Sequence, residues 1–345
     1  MKATVSIIIL NWNGWKDTIE CLESLYKIEY PNYNVILVDN ASTDNSIEQI
    51  KRYAEGKIKI ESDFVQYDKK TKPTKVFECN KEKNLIPSNK KIVDLTSNVK
   101  LIIIKNDQNY GFAEGNNIGL DYALKNLNPD YFLLLNNDTL VDPNFLTELI
   151  KTFEKDTKIG IAGPKIYPLT NNTISKDMAI IGSKISFWYG GLPTGLKNGD
   201  HVKDVDLISG ACMLIKKKVL LNLGFLDSVY FFGWEDADFC TKVKRSGYRI
   251  VGVPKSKILH KIGASYGDHF ANNPDILQEG IKNQLIFLNR YASTLQKIIS
   301  IPFIFIYYLF LIFWKSNDLN KIKTKTIFIE KGIENFIKYK KSHKD

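Results

Sequence analysis

Four short runs in the first 135 residues are apolar at almost every position, not at every second one: residues 5–10 (VSIIIL), 35–38 (VILV), 101–104 (LIII) and 131–135 (YFLLL). A strand that exposes one face to water alternates apolar and polar residues. A strand covered on both faces does not need to. After the first run, Trp15, Ile19, Leu22 and Tyr26 recur at helical spacing across residues 14–27. The later runs are likewise followed by polar residues and a helical pattern. Strand–helix alternation of this kind predicts an α/β fold with a mainly parallel sheet between helices. Ser42 is expected to cap the helix that begins around Asp44-Asn45-Ser46-Ile47.

The second half continues with different punctuation. Residues 207–215 read as a strand that includes the small residues Ser209, Gly210 and Ala211. A helical run at 216–223 ends at Gly224, a second at 236–246 closes on Gly247, and a strand at 249–253 stops at Pro254. Residues 56–98 break the rhythm, being polar, rich in Lys and interrupted by Pro73 and Pro87. They are expected to form a mobile insertion on one edge of the sheet, with a short hairpin. The loop at residues 188–196 (WYGGLPTGL) is expected to be a mobile lid, because of its glycines.

At 345 residues, 44% of them hydrophobic, the chain can bury one sizeable core or a core with an appendage. Its formal charge of +10 would suit nucleic acid, an anionic membrane or phosphorylated substrates. No aromatic RNA-binding signature and no zinc-finger spacing accompany the charge, so nucleic acid is not expected as a partner. The four cysteines (Cys21, Cys79, Cys212, Cys240) form no CxxC pair, and a reducing compartment is expected. The N-terminus runs directly into a strand pattern, so no signal peptide is expected.

Ligands of open α/β sheets bind outside the carboxyl ends of the strands, so those ends are read first. The first strand ends in Asn11-Trp12-Asn13-Gly14, the second in Asp39-Asn40-Ala41-Ser42, and the fourth in Asn136-Asn137-Asp138. Carboxylates and amides therefore gather along one rim. No GxGxxG follows the first strand and no GxxxxGK[ST] occurs, so a bound phosphate would need a cation to neutralise it. Asp138, directly after a buried strand, offers a hard oxygen for a divalent ion, although such triplets are also ordinary turn chemistry. Further on, Phe231-Phe232-Gly233-Trp234 leads into Glu235-Asp236-Ala237-Asp238. Acids at a helix start complement its dipole, which accounts for Asp238. Acids beside aromatics also suit a general base with a raised pKa next to a surface for a sugar ring. His260 is one of only four histidines.

The segments VSIIILNWNG, VILVDNASTDNS, NYGFAEGNNIGLDYA, YFLLLNNDT, LISGACMLIKK, GFLDSVYFFGWEDADFC and ILHKIGASYG, spread over residues 4–267, resemble in order the family-2 inverting glycosyltransferases of GT-A fold, particularly the rhamnosyltransferase-like branch. The resemblance implies a nucleotide-diphosphate sugar, UDP- or dTDP-linked, as donor. It also implies a glycan hydroxyl, often lipid-linked in such families, as acceptor, in cell-surface polysaccharide or glycan synthesis. Asp39 resembles the acid that recognises the base, with Asn11, Trp12 and Asn13 close by, and Asn109, Gly111, Phe112 and Asn117 fall in the segment lining the donor pocket. Asn136-Asn137-Asp138 stands where the family carries a DxD-like motif. Its first position here is Asn, so Asp138 and His260 are the implied ligands of Mn²⁺ or Mg²⁺. Glu235-Asp236 corresponds to the family's ED pair, with Asp236 as the favoured base, and Phe232 and Trp234 are implied on the acceptor side.

The implied organisation is a GT-A catalytic domain over 1–267, with the insertion at 56–98, and a C-terminal helical region over 268–345. Residues 298–314 are apolar except for Ser300 and Pro302, and the 31 residues that follow carry nine Lys against four acidic residues. As a helix the apolar segment would be about 26 Å long, a little under a bilayer's hydrocarbon core of about 30 Å. A membrane-associating extension, either spanning or lying on the cytoplasmic side of the cell membrane, is expected from these two features. Two other functions are compatible with a nucleotide-binding sheet. A sugar-nucleotide nucleotidyltransferase would need a basic, glycine-rich phosphate loop, which NWNGWKDT does not provide. A non-catalytic carbohydrate-binding protein would have no need of Asp39, Asp138, Asp236 and His260 together.

Overall fold

The computed structural model describes residues 2–80, 100–197, 199–261, 274–314 and 319–343. In chain order the first half comprises β1 (Val5–Asn11), α1 (Trp15–Leu25), β2 (Tyr33–Asp39), α2 (Ser46–Ala54), β3 (Lys75–Asn80), β4 (Lys100–Lys105), α3 (Gly111–Asn126), β5 (Tyr131–Asn136), β6 (Thr139–Val141) and α4 (Phe145–Lys155). The second half adds β7 (Ile159–Thr170), β8 (Thr173–Ile174), β9 (Ser183–Ile185), β10 (Pro193–Gly195), β11 (Lys203–Asp204), β12 (Cys212–Lys216), α5 (Lys217–Leu223), α6 (Glu235–Arg245), β13 (Arg249–Lys261), α7 (Pro274–Tyr291), α8 (Thr294–Trp314) and α9 (Leu319–Ser342).

Eleven of the described strands form one large sheet in the order β11-β13-β7-β12-β5-β1-β2-β4-β3, with β6 paired to β13 and β8 to β7, while β9 and β10 pair antiparallel as a separate hairpin. The half from β5 to β3 is wholly parallel. β12 inserts antiparallel between β5 and β7. Both faces are covered, which is why the strands read as unbroken apolar runs. On one face Ile7, Ile9, Val35, Leu37, Leu133 and Leu135 pack with Leu22, Ile50 and Phe145 from α1, α2 and α4. On the other, Ile8, Ile36, Val38, Phe132 and Leu134 pack with Leu120, Val219 and Phe239 from α3, α5 and α6. Truncating one of these fully buried side chains to Ala would cost about 2–5 kcal/mol. α3 lies close on the sheet because a Cβ at Gly119 would fall 2.6 Å from Ile8, and this brings its N-terminal end to the strand ends.

Several local expectations change. Ser42 does not cap α2: the N-cap is Asn45, and Asp44 accepts from the Ser46 amide at 3.0 Å. The expected strand at 207–215 starts only at Cys212, because residues 209–211 turn into the cleft at the end of the sheet. Pro254 does not stop its strand. β13 continues to Lys261, and its register against β7 shifts between Val253 and Lys257, an irregularity that accommodates the missing Pro N–H. The hairpin expected within 56–98 is not found among the described residues. β3 instead adds a parallel edge strand beside β4. The stretch before it is pinned, with Lys72 Nζ 3.1 Å from Glu23 Oε2, 3.0 Å from Tyr53 Oη and 4.2 Å above the Tyr53 ring. Residues 81–99 lie outside the described residues.

The C-terminal helices form their own apolar cluster, in which Leu277, Ile281 and Leu285 of α7 meet Ile304 and Tyr308 of α8 and Ile329 of α9. Among the described residues no helix is long and apolar enough to cross a membrane. The segment at 298–314 keeps an exposed apolar side, with Ile299, Phe303, Ile306 and Phe310 open to solvent.

Candidate active site

At the carboxyl end of β1, β2 and β5 a cleft of about 550 Å³ opens, lined from four directions. Trp12, Asn13 and Gly14 come from the end of β1, and Asn40 from the end of β2. Asn109, Gly111 and Phe112 come from the start of α3, and Asn136 and Asn137 from the end of β5. Ser209-Gly210-Ala211, the loop from Phe231 to Gly233, Glu235, Asp236 and His260 close the far side.

Behind the first wall is a buried amide and hydroxyl network. Asn11 Nδ2 donates to Asp39 Oδ1 at 2.7 Å and to Ser42 Oγ at 3.0 Å, while Ser42 donates to both Asp39 oxygens, through its amide at 3.0 Å and its hydroxyl at 2.6 Å. Thr18 donates to Asn11 Oδ1 at 2.8 Å, and Asn137 Nδ2 donates to Thr18 Oγ1 at 3.0 Å. Asp39, only 3% exposed, therefore does not line the cleft. With both oxygens engaged, it and Asn11 hold the β1 and β2 ends in register. Trp12, 48% exposed, is the part of this segment that faces a ligand.

The α3 entrance is organised by Asn40. Its Nδ2 donates to Asn109 Oδ1 at 2.9 Å and to Gly111 O at 3.0 Å, and its Oδ1 accepts from Asn106 at 2.9 Å and the Tyr110 amide at 3.3 Å. Gly111 has φ +77°, and a Cβ there would sit 2.3 Å from Phe231 O. The same carbonyl accepts from the Phe112 amide at 2.7 Å. Only glycine allows the two loops to approach this closely. Asn117 is placed elsewhere: further along the helix it donates to Leu226 O at 2.8 Å and accepts from the Leu226 amide at 3.1 Å, away from the cleft.

Glu235 and Asp236 open α6 behind Trp234, whose backbone is left-handed at φ +75°. A strained non-glycine conformation next to two carboxyls is the sort of feature that collects at functional sites. Asp236 accepts from the Gly210 amide at 3.1 Å and the Ala237 amide at 2.7 Å. Glu235 is 5% exposed, and its Oε2 has no hydrogen-bond partner among the described residues. Burial first, and the neighbouring Asp236 charge second, push the Glu235 carboxyl up to about 8. Burial also raises Asp236, against the pull of the Gly210 and Ala237 amides. Two carboxyls this close do not both ionise readily. The Gly210 and Ala237 amides favour the charged form of Asp236, while Glu235 Oε2 has no such partner among the described residues.

His260 Nε2 lies 3.2 Å from Asp138 Oδ1, the two brought together by the pairing of β13 with β6. Two cis ligands of a divalent ion with bonds of about 2.1 Å are about 3 Å apart, so this pair suits one shared ion. Among the described residues no cluster of three or more His, Cys, Asp or Glu surrounds it, and Asn136 carries no charge. Asp138 and His260 would hold such an ion between them.

Of the sequence-derived candidates, Trp12, Asn13, Asn109, Gly111, Phe112, Asn136, Asn137, Phe232, Glu235, Asp236 and His260 line the cleft. Trp234 lines a neighbouring cavity, and Asp138 reaches the cleft through His260. Asn40, Asp17 and the 209–211 turn are additions. Asn40 sits at a strand end, where it could have been singled out. Asp17 is a first-turn acid of α1 with no distinctive pattern; it pairs with Lys261 at 2.6 Å. The expected lid at 188–196 is held in place, with Gln284 Nε2 donating to Gly190 O at 2.7 Å and Phe187 stacked on Phe287 at 5.5 Å.

The α/β sheet, parallel in its β5–β3 half and covered on both faces, is a GT-A-like fold. The structure of GalNAc-T7 with UDP, GalNAc and Mn²⁺ superposes with a TM-score of 0.60 at 15% identity, covering 99% of this chain and 58% of that one. Residues 6–72 match Glycosyl transferase family 2, and residues 76–272 match Glycosyltransferase like family 2. The chain belongs to the family-2 glycosyltransferases. The low-salt glycan biosynthesis hexosyltransferase Agl10 of Haloferax volcanii is 30% identical over 143 residues, 41% of this chain and 46% of that protein. The rhamnosyltransferase WbbL of Escherichia coli is 26% identical over 160 residues, 44% of this chain and 61% of that protein. The aligned part thus spans about half to three fifths of these relatives.

Proposed function

We propose that this chain transfers a sugar, with inversion, from a nucleotide diphosphate, UDP or dTDP, to the hydroxyl of a glycan acceptor in glycan synthesis. The observation that carries the reading is the position of Asp236. It is a buried carboxyl oriented by the Gly210 and Ala237 amides, and it lines both the donor cleft and the cavity next to it. The donor diphosphate occupies the rim near Asp138 and His260, its base meets Trp12, and the sugar lies toward Phe112 and Gly210. A bound Mn²⁺ or Mg²⁺ would neutralise charge on the departing diphosphate. The Mn²⁺ in the GalNAc-T7 structure supports a divalent ion of this kind. On the opposite side of the sugar, Asp236 takes the proton of the acceptor hydroxyl as its oxygen bonds to C1. The bond from C1 to the diphosphate oxygen breaks in the same displacement, which inverts the anomeric centre. Glu235, protonated, keeps the pair at a single negative charge.

The exposed apolar side of α8 supports association with a membrane surface, on the cytoplasmic side, where a lipid-linked acceptor would be met. Asp236→Asn keeps the shape and one of the two amide contacts, from Gly210 or Ala237, but removes the base. Transfer should fall by about 10²–10⁴-fold while UDP affinity stays within about twofold. Near-normal turnover of this variant, measured by UDP release, would remove Asp236 from the mechanism.

A further inference from the structure

The segment from Asp227 to Asp238 carries the loop at Phe231–Gly233 and the carboxyl pair, and one stripe of α7 grips it. Asn283, Phe287 and Arg290 are spaced four and three residues apart, so they share a face of that helix. We infer that Asn283 and Arg290 are positioning residues for Asp236, so that α7 belongs to the catalytic unit and fixes where the proposed base points. The inference rests on the proposed sugar transfer and adds residues that serve it without touching the substrate.

Asn283 acts on the turn before α6. Gly233 and Trp234 are consecutive left-handed residues, at φ +80° and +75°. For Trp234 that conformation is strained, and it persists only where the surroundings impose it. Asn283 Nδ2 donates to Phe232 O and Gly233 O, both at 3.0 Å, which fixes the two peptide planes leading into Trp234. The Trp234 ring packs on Phe287, with centroids 5.2 Å apart. The Trp234 carbonyl then accepts from the Asp238 amide at 2.8 Å, closing the first turn of α6. Asp236 sits inside that turn, so its direction follows from the peptide planes that Asn283 holds.

Arg290 acts on the same turn from its other side. Asp238 is buried, and its Oδ1 accepts from Tyr230 Oη at 2.9 Å and from Arg290 Nη1 at 3.0 Å. Arg290 also pairs with Asp227 at 2.7 Å and donates to Tyr339 of α9 at 2.8 Å. One guanidinium therefore ties both ends of the segment to the C-terminal helices.

The identity of residue 283 separates positioning from simple attachment. Asn283 is fully buried, and its Oδ1 has no hydrogen-bond partner among the described residues. A buried amide with one end unpaired is a costly way to attach a helix, and a leucine of similar size would pack there at lower cost. What leucine cannot supply is the pair of N–H donors that the Phe232 and Gly233 carbonyls receive.

The test uses the full chain and the variants Asn283→Leu, Arg290→Met and Arg290→Lys. Amide exchange is followed by NMR, and UDP and dTDP affinity with Mn²⁺ by calorimetry. Turnover is read as nucleotide release from a panel of UDP- and dTDP-sugars, per nucleotide-binding site, so that unfolded protein is not counted. In Asn283→Leu the Gly210 amide, which donates to Asp236, and the Asp238 amide should exchange at least about tenfold faster. The Ile8 and Leu134 amides of the paired strands β1 and β5 should keep their rates. Nucleotide affinity should stay within about twofold while turnover falls by about tenfold or more, because a small misplacement of a reacting group is costly. Arg290→Met should behave alike, and Arg290→Lys, which keeps a charge facing Asp238, should return turnover to within about threefold of wild type. Asn283→Leu decides by itself if Arg290→Met does not fold.

Unchanged exchange at Gly210 and Asp238 overturns the inference. So does faster exchange spread equally over the sheet, which marks a contact that only stabilises, and so does a nucleotide affinity that falls together with turnover. An Arg290→Lys variant as slow as Arg290→Met removes Arg290 from it. Faster exchange with turnover unchanged keeps the hold on Asp236 and refutes Asp236 as the base. A wild type that releases nucleotide from no donor of the panel refutes the transfer reading, and exchange then decides the hold on Asp236 alone.

Discussion

Replacing Glu235 with Gln removes a buried ionisable group whose charge the fold opposes, while keeping the side chain's size. The wild-type carboxyl has an ordinary value of 4.5 and is lifted to about 8 in the folded chain, by burial first and by Asp236 second. A carboxyl raised on folding contributes stability that is fully present below about 4.5 and is lost as the pH rises through about 8. The full span corresponds to about 5 kcal/mol at 1.36 kcal/mol per pH unit, a ceiling that relaxation of the pair will lower to an observed loss on the order of 2–5 kcal/mol. The amide of the Glu235→Gln variant carries no charge at any pH, so this component of the pH dependence disappears. Urea denaturation at pH 5, 7 and 9 reads it directly. Wild type and Glu235→Gln should lie within about 1 kcal/mol of each other at pH 5, and the variant should be the more stable by about 2 kcal/mol or more at pH 9. Parallel stability profiles from pH 5 to 9 would show that Glu235 is not held protonated. They would undermine the assignment of Asp236 as the ionised partner.

Two further outcomes follow from the site's geometry. Asp138→Ala should weaken UDP binding by about tenfold or more with Mn²⁺ present and leave it unchanged in chelator; calorimetry under both conditions separates a metal ligand from a structural residue, for which the two losses would be equal. Gly111→Ala forces a Cβ toward Phe231 O at a positive φ, and should cost about 2 kcal/mol or more in urea denaturation and raise the donor KM, whereas a change within about 0.5 kcal/mol would mean that the α3 and Phe231 loops are not locked together.

Much of the cleft was legible because strand ends are fixed by the apolar runs that precede them. Once residues 5–10, 35–38 and 131–135 are buried strands, the residues that follow must emerge on one rim, and Trp12, Asn13, Asn40, Asn136 and Asn137 do. What those residues do once there was less legible. Asp39 and Asn11 carry the same polar chemistry as their neighbours, yet they turn inward and saturate each other and Ser42. Asn117 was implied by the family resemblance, but the rotation of α3 on the sheet aims it at Leu226. The stop at Pro254 failed because one missing N–H can be absorbed by a register shift when β7 and β6 continue to pair on either side.

Local chemistry by itself determined the two-faced parallel sheet, the polar rim at its carboxyl end, and the acidic pair after an aromatic cluster, since each depends on residues adjacent in the chain. The tertiary structure alone decided that both carboxyls are pushed up by burial and that Asp236 accepts from the Gly210 amide, because both depend on distant segments. It also decided that Asp138 meets His260 across a strand pair formed by residues more than a hundred positions apart, and that α7 builds the cavity beside Asp236. Contacts of this kind arise from chain crossings, and the one-dimensional pattern of residues does not record where those crossings fall.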